Sequence, residues 1–176
     1  IKEPDEIMQP NFVFDGMLRR RLTAEEFADA VSTAIQPVYP DSFAVFKLLP
    51  EDFSKNIPFA RASLVKNDPF LTALGRPNRE TVSTSRTSQA SLLQALELTN
   101  GSTFNDAIKY GAARWKNKYP DTETLVNQLY RNTIGRSPDK AEKEVAEKAL
   151  GTAPTEAAIE DFMWAMALHP EFQLIY

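Results

Sequence analysis

Apolar residues recur at helical spacing along most of the chain, and the residues between the runs are those that start and stop helices. After Thr23, residues Phe27, Val31 and Ile35 fall four apart, which lines one face of a helix. Thr23 and Glu26 have the spacing of a capping box, and Leu22 and Phe27 that of a hydrophobic staple. Pro37 ends this helix. A short helix is predicted at about 58–65. Another starts at Asp68 as N-cap with Pro69 in the first helical position, where a missing N–H costs nothing, and Gly75 stops it. Ser88 is predicted to cap a helix carrying Leu92, Leu93 and Leu96, which Asn100-Gly101 ends.

The rest follows the same grammar. Ser102 or Thr103 starts a helix with Phe104, Ile108, Ala112 and Trp115 on one face and Lys116 and Lys118 near its end, where cations suit the dipole. Asp121 or Thr122 starts the next, with Leu125, Val126 and Leu129 inward and Gly135 as the stop. Ser137-Pro138 opens a helix in which Ala141, Val145 and Ala149 are predicted to face in, Glu144 and Lys148 pair outside, and Gly151 closes the run. Thr155 caps a last long helix with a stripe of Ile159, Phe162, Met163 and Met166, broadened by Trp164 and Leu168. That apolar circumference predicts a place at the centre of the bundle. The tail Phe172 to Tyr176 is too apolar to dangle and is expected to pack back.

Eight of the 12 prolines lie at or before Pro77. The first part is therefore expected to be loop-rich, with a short extended piece at Phe12–Phe14, a long packed loop over 37–57 and a polar crossing over 76–87. No strand alternation stands out. The expectation is an all-α fold: one compact domain over 1–176, a bundle of six or seven helices with a loop-rich N-terminal third.

Composition narrows the function classes. The 176 residues are 43% hydrophobic and 25% charged, which argues against disorder, and they contain no Cys and one His. That excludes a disulfide scaffold, a Cys-based zinc or iron–sulfur site and covalent c-type haem. Twenty basic residues against 24 acidic ones give no basic footprint for nucleic acid. The run Arg19, Arg20, Arg21 reads as the solvated approach to a helix. No apolar run is long enough to span a bilayer, so no membrane insertion is expected. The chain opens on Ile1 and shows no signal peptide, and we expect it to be the C-terminal fragment of a larger multidomain protein.

No catalytic motif emerges: there is no nucleophile elbow, no phosphate loop and no calcium loop. His169, just before Pro170, reads as a capping or interface residue on the last carbonyls of its helix. The carboxylate pairs Glu25/Glu26 and Glu142/Glu144 fall on predicted solvent faces. Neither a metal nor a cofactor is expected.

The segment 76–100 is the exception. Arg76, Arg79 and Arg86 share a short stretch with Glu80 and several hydroxyls, and Gln94 and Asn100 follow on the next helix. Three guanidiniums near a helix N-terminus suit an anion such as a carboxylate or an acidic sugar. The same arginines, with five donors each, equally suit the backbone carbonyls of a loop crossing a helical core. Arg76, Arg79, Glu80, Arg86, Gln94 and Asn100 form the candidate ligand set. Asn100-Gly101-Ser102 is formally a glycosylation sequon.

The stretch from Ala62 to Gly101 carries a family resemblance, through Asp68-Pro69-Phe70-Leu71, Leu74-Gly75-Arg76-Pro77-Asn78-Arg79-Glu80 and Leu93-Gln94-Ala95-Leu96-Glu97-Leu98-Thr99-Asn100-Gly101. So do Arg20 to Glu26, Leu129 to Pro138 and Trp164 to Phe172. Together they resemble the planctomycete-specific C-terminal domain of unknown function (the PSD type-one family), which follows a planctomycete cytochrome-c-like domain in large exported proteins. Many relatives carry a Cys pair near positions that are here Ser83 and Ser85, so a thiol role is not open to this chain. The resemblance implies a helical domain of an exported parent, in the periplasm or at the cell surface, with no assigned activity.

Two functions are expected from these readings. The first is a non-catalytic interaction or accessory module whose partners are other domains of the same parent protein. The alternative is a binding or hydrolytic domain that takes a carbohydrate or another anionic ligand on the Arg76/Arg79/Arg86 loop.

Overall fold

The computed structural model describes residues 19–40, 59–78 and 91–175. The extended piece expected at Phe12–Phe14, most of the 37–57 loop, most of the 76–87 crossing and the Ser88 cap lie outside the described residues.

Each helix starts where a short polar side chain takes up free backbone N–H groups. Helix α1 spans Ala24–Ala34 behind a complete Thr23–Glu26 capping box, the Thr23 N–H donating to Glu26 Oε2 at 2.8 Å. A 3₁₀ turn, Ala62–Leu64, replaces the longer helix expected at 58–65. Helix α2, Pro69–Ala73, has Asp68 as N-cap and Pro69 in its first turn. Helix α3 is Leu92–Asn100 and α4 is Ser102–Lys118. Helix α5, Thr122–Ile134, is capped by Asp121. Helix α6, Lys140–Leu150, has its own capping box of Asp139 and Glu142, one residue past the Ser137-Pro138 start expected from sequence. Helix α7, Glu156–Leu168, is capped by Thr155. Gly75 at φ +91° and Gly135 at φ +75° supply the left-handed residues that end α2 and α5.

The fold is all-α, with eight α-helical segments among the described residues. The count exceeds six or seven because the tail makes a turn of its own: α8, Pro170–Gln173. A two-residue strand follows, β2 at Leu174–Ile175, antiparallel to β1 at Arg20–Arg21 with Arg21 opposite Leu174. The Leu22 N–H extends the ladder to the Gln173 carbonyl at 2.9 Å. The tail thus packs back, with Phe172 buried.

Helix α7 occupies the centre, lying along α4 and also touching α5, α6 and α8. Its Ile159, Met163 and Met166 are buried with Phe104, Ile108, Ala112 and Trp115 of α4 and Leu125, Val126 and Leu129 of α5. Beside them sits a cluster of four phenylalanines. Phe70 and Phe104 stack at 6.0 Å, and Phe27 leans on Phe104 and, edge-on, on Phe172, both at 5.9 Å. The Trp115 indole N–H, which needs an acceptor once buried, donates to the Ile35 carbonyl at 3.0 Å.

Two helix faces differ from expectation. In α6, Ala141, Val145 and Ala149 are exposed, whereas Ala146 and Leu150 are buried. Glu142, Ala146 and Leu150 are four apart, so the rotation that buries the larger Leu150 also turns Glu142 toward its partner on the preceding loop. In α3 the side chain that enters the core is Leu98, and the leucines that mark the helix by sequence, Leu92, Leu93 and Leu96, lie on its outside. The N-cap of α3 is Ser91, which accepts from the Gln94 N–H.

Candidate functional site

Gly75 reverses the chain after α2 and sends Arg76 inward, where only 7% of the side chain is exposed. Its Nη1 donates to the Ala62 and Val65 carbonyls at 3.1 and 3.2 Å, and its Nη2 to the Ser63 carbonyl at 3.4 Å. Its Nε lies 3.5 Å from Glu25 of α1. The 3₁₀ turn has backbone carbonyls that no helix satisfies, and the planar fork meets three of them at once. On the far side Asp29 takes the Ala62 N–H at 2.8 Å and the Arg61 Nε at 2.6 Å. Arg76 therefore acts as an internal stitch between the turn and α1.

The other candidates sit elsewhere. Arg79, Glu80 and Arg86 lie outside the described residues. Gln94 accepts from Arg21 Nη1 at 3.1 Å, and Arg21 Nη2 donates to Gln173 at 2.8 Å. These three line a cleft of about 290 Å³ with Leu98, Trp164 and Leu168, and the Trp164 indole N–H donates to the Leu98 carbonyl at 2.8 Å. Asn100 is exposed at the end of α3 and donates to the neighbouring Thr99 hydroxyl. Arg76, Gln94 and Asn100 thus have separate partners.

The arginine run before α1 is not merely solvated. Arg20 forks onto Glu26 at 2.9 and 2.8 Å, and that hydrogen bonding holds the Glu26 carboxyl down at about 2. Glu25 and Glu26, expected on a solvent face, are both engaged, because β1 brings Arg20 and the reversal after α2 brings Arg76 to the start of α1.

A second ionic group was hidden in the sequence. Arg136, just past the end of α5, donates to Glu142 from Nη1 and Nη2, both at 2.7 Å. It also donates to Glu171 of α8 from Nε at 2.8 Å and from Nη2 at 2.7 Å. Its guanidinium lies over the Tyr130 ring at 5.9 Å. His169 adjoins this group. As expected it caps α7, its backbone N–H donating to the Met166 carbonyl at 3.1 Å, while its ring Nδ1 accepts the Glu171 N–H at 3.2 Å and so caps α8 as well. Glu142, His169 and Glu171 each offer one ligand atom, all within 4.8 Å of one another. Arg136 already places its charge between the two carboxylates, so the arrangement is an ionic clasp joining the α5–α6 loop to the C-terminal turn. Glu142, expected on a solvent face, is thus engaged; the capping-box spacing of Asp139 and Glu142 is the local signal that its side chain turns back toward the α5–α6 loop. Glu171 is 35 residues from Arg136 and gave no signal.

The clasp has a pH signature. Hydrogen bonds from Arg136 hold Glu142 down at about 2 and lower Glu171 as well. Carboxyls depressed on folding contribute stability that is present above pH 4.5 and lost as the pH falls toward about 2. Arg136→Met is expected to cost about 1–2 kcal/mol at pH 7, the side chains being partly exposed, and to flatten the loss of stability over that acid range. Urea unfolding of both proteins at pH 7 and pH 3 checks this; equal midpoints at pH 7 would refute it.

Among the described residues no helix is long and apolar enough to cross a membrane. No curated protein matches the chain, and no solved structure does. The model of one family, PSD1, whose members are described as proteins of unknown function (DUF1553), matches residues 2–150, and the chain belongs to that family.

Proposed function

We propose that this domain is a non-catalytic helical interaction module of a larger exported or envelope-associated protein, with other domains of the same parent as its partners. The observation that supports it is the outer face of α3. Leu92, Leu93 and Leu96 are 77%, 57% and 50% exposed. One exposed leucine is ordinary on any protein, but three within a helical turn form an apolar patch of the kind that marks contact surfaces. The cleft of Arg21, Gln94 and Gln173 opens beside it on the same helix and adds donors and acceptors to its edge. Of the three arginines on which an anion site would rest, Arg76 is committed to the protein's own carbonyls.

The double variant Leu92→Ser, Leu96→Ser tests the reading. Both side chains are exposed, so circular dichroism and the melting temperature are expected to stay unchanged. Binding to the remainder of the parent protein, expressed as a separate chain, is expected to weaken by at least about tenfold, since each buried leucine contributes about 1.5–3 kcal/mol. Equal binding by the variant, or turnover of a substrate by the isolated domain, would remove the proposal.

A further inference from the structure

A groove of about 500 Å³ lies between the segment that follows α1 and the start of α4. It is lined on one side by Gln36 to Pro40 and Asp68, and on the other by residues from Ser102 to Tyr110. We propose that it binds the basic side chain of a partner polypeptide, an arginine or lysine, with Asp106 and Asp68 as anionic partners and Tyr110 as an aromatic wall.

Charge is the first argument. Among the described residues the lining holds two carboxylates, Asp68 and Asp106, and no Lys, Arg or His. Asp68 uses one oxygen to cap α2 and the other to accept the Tyr39 hydroxyl at 2.8 Å. Each carboxylate oxygen has a second lone pair, so Asp68 keeps accepting capacity. Burial pushes the Tyr39 hydroxyl up, so it keeps its proton and remains a donor to Asp68.

The second argument is an unmet acceptor. Gln36 lines the same groove, and its amide oxygen is buried without a hydrogen-bond partner among the described residues. A guest rich in N–H donors suits that environment. The third is aromatic. Tyr110 is 67% exposed on α4, and an open tyrosine face beside carboxylates attracts a guanidinium or ammonium group.

Competing guests fit less well. Among the described residues Asp68 and Asp106 belong to no group of three ligands spaced for a metal ion. The N-terminus of α4 would favour an anion, but the Glu97 carboxylate already lies against its N-cap, Gly101. None of the exposed leucines of α3 lines the groove, so this site and the leucine face stand or fall separately.

The experiment is an amide-resolved NMR titration of the whole chain with N-acetyl-arginine amide. Its neutral isostere N-acetyl-citrulline amide and free arginine serve as comparisons. Saturable shifts are expected at Asp106 and Tyr110, with the citrulline probe weaker by about tenfold because it lacks the charge. Free arginine, carrying its own carboxylate toward acidic walls, is expected to bind more weakly than the capped probe. Asp106→Asn is expected to weaken the arginine probe by about tenfold with an unchanged melting temperature. No saturable shift, equal binding of citrulline, or an unaffected Asp106→Asn variant would overturn the site. Tighter binding of free arginine would overturn the assignment to a polypeptide side chain.

Discussion

Arg76→Ala is expected to destabilise the fold by about 3–5 kcal/mol, the cost of removing one member of a buried charged pair. The guanidinium serves the carbonyls of Ala62, Ser63 and Val65 and faces Glu25, and the side chain is 7% exposed. Alanine removes the guanidinium donors that meet the carbonyls of Ala62, Ser63 and Val65 and leaves a cavity beside Glu25. Part of the loss is avoidable by design. Arg76→Lys keeps the charge but not the planar fork, so it should retain Glu25 and lose most of the carbonyl contacts, falling between the two. Chemical denaturation followed by circular dichroism reads both. A loss under about 1 kcal/mol for Arg76→Ala would contradict the stitch and return Arg76 to the list of groups available to a ligand.

Phe104→Ala is expected to cost a similar amount, about 3–5 kcal/mol, through a different mechanism. Phe104 is fully buried at the meeting point of elements far apart in the chain. It stacks on Phe70 of α2 with an interplanar angle of 7° and touches Phe27 of α1, which in turn carries Phe172 of α8. Four rings from four helices cannot close a ring-sized cavity without moving their helices, so relaxation recovers little. Phe104→Leu keeps much of the volume and is expected to lose less than half as much. Melting curves of the two variants test the ordering, and a Phe104→Ala protein as stable as Phe104→Leu would contradict it.

Much of the architecture was legible because helix ends are local. A Thr23 hydroxyl reaching the Glu26 N–H, an Asp68 carboxylate reaching the Leu71 N–H and a glycine at positive φ after α2 all involve residues within a few positions. The same holds for the inward faces of α4 and α5, where one apolar stripe is much stronger than its rivals. Helices α3 and α6 carry two possible stripes of similar strength, and local pattern gives no reason to prefer one. In α6, burying Leu150 and aiming Glu142 at Arg136 decides the rotation. In α3, Leu98 enters the core beside Trp164, which leaves the other three leucines outside.

Charged groups show the same division. The sequence placed arginines near 76–100 and offered two physical uses for them, and nothing in the order of residues selects between a ligand and a carbonyl. The fold selects for Arg76 by running the 3₁₀ turn past its guanidinium. It also pairs Arg136 with Glu171 and Arg21 with Gln173, partners that only the return of the C-terminal tail brings within reach.

The sequence by itself determined the helical class, most helix boundaries and the centrality of α7, because capping, backbone angle preferences and stripe periodicity act over about one turn. The tertiary structure alone decided which stripe of a two-faced helix is buried, which arginine meets which carboxylate and which leucines remain outside. Those outcomes depend on free-energy differences between whole packings, set by contacts among residues tens of positions apart, and no local window contains them.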